Sequence, residues 1–316
     1  MSLTARISLR GKSGGDSGEG DTAPGPEDYL SGWRAVIFPD DVTDVHGDAD
    51  HGLVYTSPHL PRPLELDLAD PRGEDDRRLF GHYLWNASLL LAELVERDSL
   101  GVGGGGGGGD GGDDVADDGA DEGAGHSFDV RDKAVLELGA GTALPSIMAG
   151  LVGGAQRITV TDYPSPAILD TLRANMARNL PPSSTTTAPV LVHGHAWGRL
   201  DDAFSRAHRH AYDRVLACDT LWMPGQHANL HRSIAHFLRP AAAGARCYVV
   251  AGFHTGRDPV RAFFAPAALA AARLALDAIW ERDCVGRSRP WDGHRDEDVG
   301  VRKRWLVVAV LKRVAS

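Results

Sequence analysis

The chain of 316 residues carries 33 Lys and Arg against 43 Asp and Glu, a formal net charge of -10. Seven of those acids fall within residues 101–126, which hold no Lys or Arg, so the remainder stands at only -3. With no basic excess a nucleic-acid partner is not expected, and with no run of the roughly 18 apolar residues that crosses a bilayer neither is a membrane. The three cysteines, Cys218, Cys247 and Cys284, are odd in number and lack metal-ligand spacing. Reduced, buried thiols without a metal are expected, as in a protein of the cytoplasm or nucleus. Met1 to Arg10 is basic and acid-free but has no secretory apolar run.

In chain order, residues 1–30 are rich in Gly, Ser, Pro and Asp and read as a disordered N-terminus. Residues 31–100 read as an extension that packs on the core. Order begins at Trp33 to Ile37, scattered apolar residues among prolines up to Arg72 suggest a short hairpin or irregular segment, and apolar positions 84, 87, 91, 94 and 95 make one face of a helix. Trp85 lies near the start of that helix. Residues 101–127, with the unbroken glycines 103–109 and the acids after them, read as a disordered insert without a catalytic role.

Residues 128–316 form the core domain, one domain with disordered additions around it. Val135, Leu136 and Leu138 run into Gly139 and Gly141, and the apolar segment Leu144 to Val152 follows at once: strand, glycine turn, helix. Further strands are expected at 157–162, 190–197, 214–219, 246–253, near 278–283 and at 304–312, with helices at 227–238 and 267–276 among those between. This alternation predicts an α/β fold, a largely parallel sheet with helices on both faces.

Ligands of such sheets bind beyond the carboxyl ends of the strands. The Gly139/Gly141 turn, Asp162 closing the second core strand and Asp219 closing the fourth converge there. A glycine turn brings backbone N–H groups and a helix N-terminus to a ligand. Asp162, 23 residues after Gly139, has the spacing of an acid that takes a cofactor's ribose hydroxyls, although a helix-capping Asp gives the same pattern. The dinucleotide fingerprint asks for Gly or Ala at 144, where this chain has Leu, and Glu137 would suit an ammonium better than a pyrophosphate. These residues lean towards S-adenosylmethionine, which has an amine and a sulfonium but no phosphate.

The motifs Gly81-His-Tyr-Leu-Trp-Asn-Ala87, Val135-Leu-Glu-Leu-Gly-Ala-Gly-Thr-Ala-Leu-Pro145, Val160-Thr-Asp-Tyr-Pro164, Ala196-Trp-Gly198 and Asp219-Thr-Leu-Trp-Met-Pro-Gly-Gln-His227 resemble family sixteen of the S-adenosylmethionine-dependent methyltransferases. Within it the chain is similar to the fungal branch labelled nicotinamide N-methyltransferase-like, which includes an enzyme that methylates the N-terminal region of translation elongation factor 1-alpha. The resemblance covers residues 79–316 apart from the insert. It implies a Rossmann-like, seven-strand class I methyltransferase sheet, S-adenosylmethionine as cofactor, and a protein substrate such as a translation factor. It implies that Glu137, Gly139 and Gly141 line the methionine moiety, that Asp162 holds the ribose, that Trp197 packs on adenine and that Trp85 approaches the cofactor. Asp219 and Trp222 would face the accepting amine as catalytic residues. Trp222 stands where the family has Tyr or Phe, so a phenolic hydroxyl is missing while the aromatic wall remains.

The expected reaction is N-methylation of a protein lysine or processed N-terminus, with methylation of a small nicotinamide-type amine as the alternative. A nicotinamide-dinucleotide oxidoreductase and a non-catalytic cofactor-binding scaffold are the readings from other classes. His227 and His254 are weaker candidates for a proton acceptor, and Cys218 is expected to be inert core.

Overall fold

The computed structural model describes residues 2–11, 45–47, 51–69, 83–102, 125–180, 188–240 and 244–314. Trp33 to Ile37 and the body of the glycine- and acid-rich insert lie outside these residues. Strands β1 (Ile7–Gly11), β2 (Val45–His46), β3 (His51–Tyr55), β4 (Leu64–Leu66) and β5 (Leu84–Trp85) precede helix α1 (Asn86–Leu100). The core follows as β6 (Ala134–Leu138), α2 (Leu144–Leu151), β7 (Arg157–Asp162), α3 (Pro166–Asn179), β8 (Val190–Gly194), α4 (Ala203–Ala207), β9 (Arg214–Cys218) and α5 (His227–Phe237). It closes with β10 (Arg246–Gly252), α6 (Arg257–Phe263), α7 (Pro266–Ala271), β11 (Leu274–Asp283), β12 (Ser288–Pro290), α8 (Val299–Arg302) and β13 (Trp305–Arg313).

The main sheet has the order β12-β11-β13-β10-β9-β6-β7-β8. From β10 to β8 neighbouring strands run parallel, while β13, β11 and β12 continue the sheet antiparallel. Apolar residues alternate along the central strands. Val135, Ile158, Val160, Leu216, Tyr248 and Val250 join the core on one face, and Leu136, Val215, Ala217, Val249 and Ala251 join the core on the other. Both faces are therefore buried, the condition under which parallel strands carry near-continuous apolar sequence. Proline presets the first turns of α2 and α3, and Gly101 at φ 69° closes α1.

Four differences from the sequence expectation have physical causes. Residues 2–11 are not disordered: Leu3–Arg6 forms a 3-10 turn, and β1 pairs antiparallel with β3, from Ile7 opposite Tyr55 to Gly11 opposite His51. In that N-terminal sheet, ordered β1-β3-β4, Leu53, Tyr55, Leu64 and Leu66 bury against the same core as α1. The main sheet has eight strands rather than seven, because β12, with no apolar pattern of its own, pairs with β11. The helix expected over 267–276 stops at Ala271, since Arg273 turns left-handed at φ 58° and β11 starts one residue later. The third core strand ends at Gly194, which releases His195, Ala196 and Trp197 into a loop.

Two asparagines one helical turn apart on α3 complete the β4 edge. Asn179 Oδ1 accepts from Glu65 N–H and its Nδ2 donates to Glu65 O, while Asn175 does the same with Asp67 at 2.8 and 2.9 Å. A side-chain ladder thus replaces a strand at an edge that would otherwise be open. Asn175 Nδ2 also donates to Thr142 O, joining this small sheet to the glycine turn. Among the described residues no helix is long and apolar enough to cross a membrane.

Candidate active site

Beyond the carboxyl ends of β6, β7, β8 and β9 lies a cavity of about 390 Å³. Seven of the eight residues singled out from sequence line it: Trp85, Gly139, Gly141, Asp162, Trp197, Asp219 and Trp222. Gly139 (φ 68°) and Gly141 (φ 55°) hold left-handed backbone. A Cβ at Gly139 would stand 2.9 Å from Trp197 Cζ2 and 3.1 Å from Thr220 Cγ2. Glycine there lets the turn, the Trp197 ring and the start of the β9 loop close on one another.

Asp162 ties the turn to the strand end. Its Oδ2 accepts from Gly141 N–H at 2.8 Å and its Oδ1 from Tyr163 N–H at 2.6 Å. Burial raises its pKa, and the two N–H bonds oppose that rise. Each carboxylate oxygen retains a lone pair for a further donor, which is what a vicinal ribose diol offers.

Glu137 does not reach the cavity wall. It is fully buried, and its Oε2 accepts from Ser146 N–H and hydroxyl at the start of α2. Strand alternation explains this: Glu137 shares a face with Val135, beneath α2, rather than pointing past the strand end. Burial pushes its pKa up to about 8, so at neutral pH the carboxyl is mostly protonated and not the anion an ammonium would seek.

Asp219 has an unusual backbone for a non-glycine residue, φ 51°. Its Oδ1 accepts from Gly252 N–H at 2.9 Å, and its Oδ2 is 2.8 Å from His254 Nε2. The His254 ring in turn lies against Trp85, with centroids 4.5 Å apart. The structure thus joins Asp219, His254 and Trp85 into one unit, although they come from three separate stretches of chain. His227 is elsewhere engaged: its Nε2 donates to Leu221 O at 2.9 Å and its ring meets Phe263 edge-on. Cys218 lines the cavity, but burial holds its thiol pKa well above the ordinary value and so keeps it un-ionised.

Three cavity residues have no role assigned from the sequence: Thr142 and Thr220, which sit inside motifs, and His195, which lies outside them. Each has a buried side-chain polar atom without a hydrogen-bond partner among the described residues: Thr142 Oγ1, His195 Nδ1 and Thr220 Oγ1. Such atoms cost free energy unless a ligand satisfies them. A polar ligand with an aromatic base and a ribose fits this lining: Trp197 for the base, Asp162 for the diol, and three unmet hydrogen-bonding atoms around them. S-adenosylmethionine has that composition.

A family model described as lysine methyltransferase matches residues 71–265. The chain is 24% identical over 231 residues to the protein N-terminal and lysine N-methyltransferase EFM7 of Kluyveromyces lactis, covering 68% of this chain and 67% of that one. With the protein of the same description from Schizosaccharomyces pombe it shares 28% identity over 180 residues, 56% of each chain. The alignment with the Gibberella zeae protein covers 52% of its length, so the chain spans about half to two thirds of the curated relatives it matches. Of solved structures, the arsenic(III) S-adenosylmethionine methyltransferase of Chlamydomonas reinhardtii is 15% identical with a TM-score of 0.39, covering 59% of this chain and 64% of that one, too loose a likeness to argue from.

Proposed function

The chain belongs to the lysine methyltransferase family that its residues 71–265 match, and from that premise we propose that it is an S-adenosylmethionine-dependent N-methyltransferase acting on a protein amine, a lysine side chain or a processed N-terminus. The observation that carries this reading is the gathering in one cavity of a ribose-type carboxylate, Asp162, with a second carboxylate, Asp219, among the aromatic rings of Trp85, Trp197 and Trp222. The names of the fungal relatives include both amine classes. The motif resemblance puts translation elongation factor 1-alpha first among candidate acceptors.

The cofactor, when bound, supplies a methyl group on a sulfonium that a nitrogen can displace directly. The protein's work is then to bind, orient and dry the reacting atoms. Asp162 and Trp197 hold the nucleoside part, and the Gly139 turn leaves room beside the Trp197 ring. An acceptor ammonium, with a pKa of about 10.4 for lysine or about 8 for an N-terminus, must lose a proton before it can attack. Asp219 keeps one lone pair on each oxygen beyond its bonds to Gly252 N–H and His254. It can therefore accept a hydrogen bond from the amine and fix its lone pair, while Trp85 and Trp222 supply aromatic faces that favour a cation on entry.

The test is incubation of the protein with S-adenosylmethionine labelled in its methyl group and a fungal lysate. One or a few labelled protein bands are expected. Label confined to small molecules would overturn the protein-amine reading in favour of a nicotinamide-type acceptor.

A further inference from the structure

His195 follows β8 directly and is only 3% exposed. Its backbone N–H donates to Asp162 O at 2.7 Å, which fixes it to the strand end that bears the ribose-type carboxylate. Its Nε2 lies 2.9 Å from Ser233 Oγ on α5, and the same hydroxyl accepts from Gly198 N–H at 2.8 Å.

Those two bonds decide the tautomer. A serine hydroxyl has one proton to give and two lone pairs, and Gly198 N–H occupies one lone pair. Ser233 is fully buried, so its proton needs a protein acceptor, and His195 Nε2 is the acceptor in contact. Placing the imidazole proton on Nε2 instead would bury the hydroxyl hydrogen without a partner, which costs free energy. Ser233 therefore donates to Nε2, and the proton of His195 sits on Nδ1. Burial pushes the imidazole pKa down to about 4, which keeps the ring neutral at physiological pH. Nδ1–H is thus a buried donor with no partner among the described residues, on a residue that lines the cavity two positions before Trp197.

We propose that His195 Nδ1–H donates a hydrogen bond to a ring nitrogen of the cofactor's adenine, and that the Ser233–His195 pair, by fixing this tautomer, selects adenine over a base lacking that acceptor. The proposal rests on the cofactor reading above. It deepens that reading by assigning a specificity residue that no motif marks: Trp197 offers the same aromatic face to any base, whereas a fixed donor discriminates at one ring position.

The experiment is calorimetric titration of S-adenosylhomocysteine and its 1-deaza, 3-deaza and 7-deaza analogues into the wild-type protein, His195→Phe and Ser233→Ala. One deaza analogue should bind the wild type about tenfold more weakly than the parent, a lost hydrogen bond together with an unmet donor. That penalty should vanish in His195→Phe and shrink in Ser233→Ala, where the tautomer is no longer fixed. Equal affinity of all three analogues and the parent for the wild type would overturn the proposal without any variant having to fold, and leaves the cofactor reading standing. A penalty that persists in His195→Phe would overturn it as well. Failure of the parent compound to bind the wild type would overturn both.

Discussion

Replacing Glu137 by Gln tests the burial of that carboxyl quantitatively. Its ordinary pKa of 4.5 is raised to about 8 in the folded protein, first by burial, against hydrogen bonds from Ser146. A group whose folded pKa lies above its unfolded one contributes stability that is fully present below the unfolded value and is lost as pH rises through the folded value. Between pH 6.5 and 8 the unfolded chain has already released this proton while the folded chain still holds it, so each pH unit removes up to about 1.36 kcal/mol. Integrated over that window, with the folded form half-ionised at the upper end, Glu137 accounts for a loss of about 2 kcal/mol. The window stops at 6.5 because His195 and His231, both held down to about 4 by burial, act in the opposite sense below it. Gln retains an acceptor for Ser146 and has nothing to ionise. Urea unfolding followed by circular dichroism at pH 6.5, 7.25 and 8 should show the wild type losing stability more steeply than Glu137→Gln, the gap between them changing by about 2 kcal/mol across the range. Parallel pH profiles would refute the assignment of a protonated, buried Glu137.

Substitutions at two other positions probe the acceptor unit and the joint between the small sheet and the core. His254→Phe keeps a ring beside Trp85 but removes the donor to Asp219; it should slow transfer to protein in the labelled-lysate assay by about tenfold or more, a conservative figure for a misplaced catalytic group, with S-adenosylhomocysteine affinity unchanged. His254→Gln, which restores a donor, should recover part of the rate, and full activity in His254→Phe would show that the contact does no work. Asn175→Ala removes its bonds to Asp67 and Thr142; the urea midpoint should fall by the equivalent of about 2 kcal/mol at unchanged m-value, taking about 1 kcal/mol for each of the two shorter bonds. A shift of a few tenths would mean that the small sheet is held by apolar burial alone.

The parallel core was legible because its central strands are buried on both faces, so runs such as Val135 to Leu138 and Cys247 to Gly252 announce themselves in apolar and β-branched residues. The cavity's position was legible too, since Gly139, Asp162 and Asp219 each stand where a strand ends. What escaped depends on partners distant in sequence. β1 is strand only because residues 51–55 pair with it, and β12 is held beside β11 by Arg289, whose side chain reaches Glu281. The proline- and glycine-poor turn at Arg273 gave no sign that α7 had ended. Asp219 and His254 are 35 positions apart, and only the adjacency of β9 and β10 brings them together. Glu137 shows the converse error: proximity to the glycine turn suggested ligand contact, but the two-residue period of the strand sends its side chain to the helix instead.

The central claim is that this cavity binds the nucleoside of S-adenosylmethionine through Asp162. Isothermal titration of S-adenosylhomocysteine and of NAD into the wild type and Asp162→Ala tests it most directly. The wild type should bind S-adenosylhomocysteine at one site and not bind NAD, and Asp162→Ala should weaken that binding by at least about tenfold, as loss of charge-assisted hydrogen bonds to a ribose diol requires. Tight binding of NAD, or S-adenosylhomocysteine affinity that ignores the loss of the carboxylate, would contradict it.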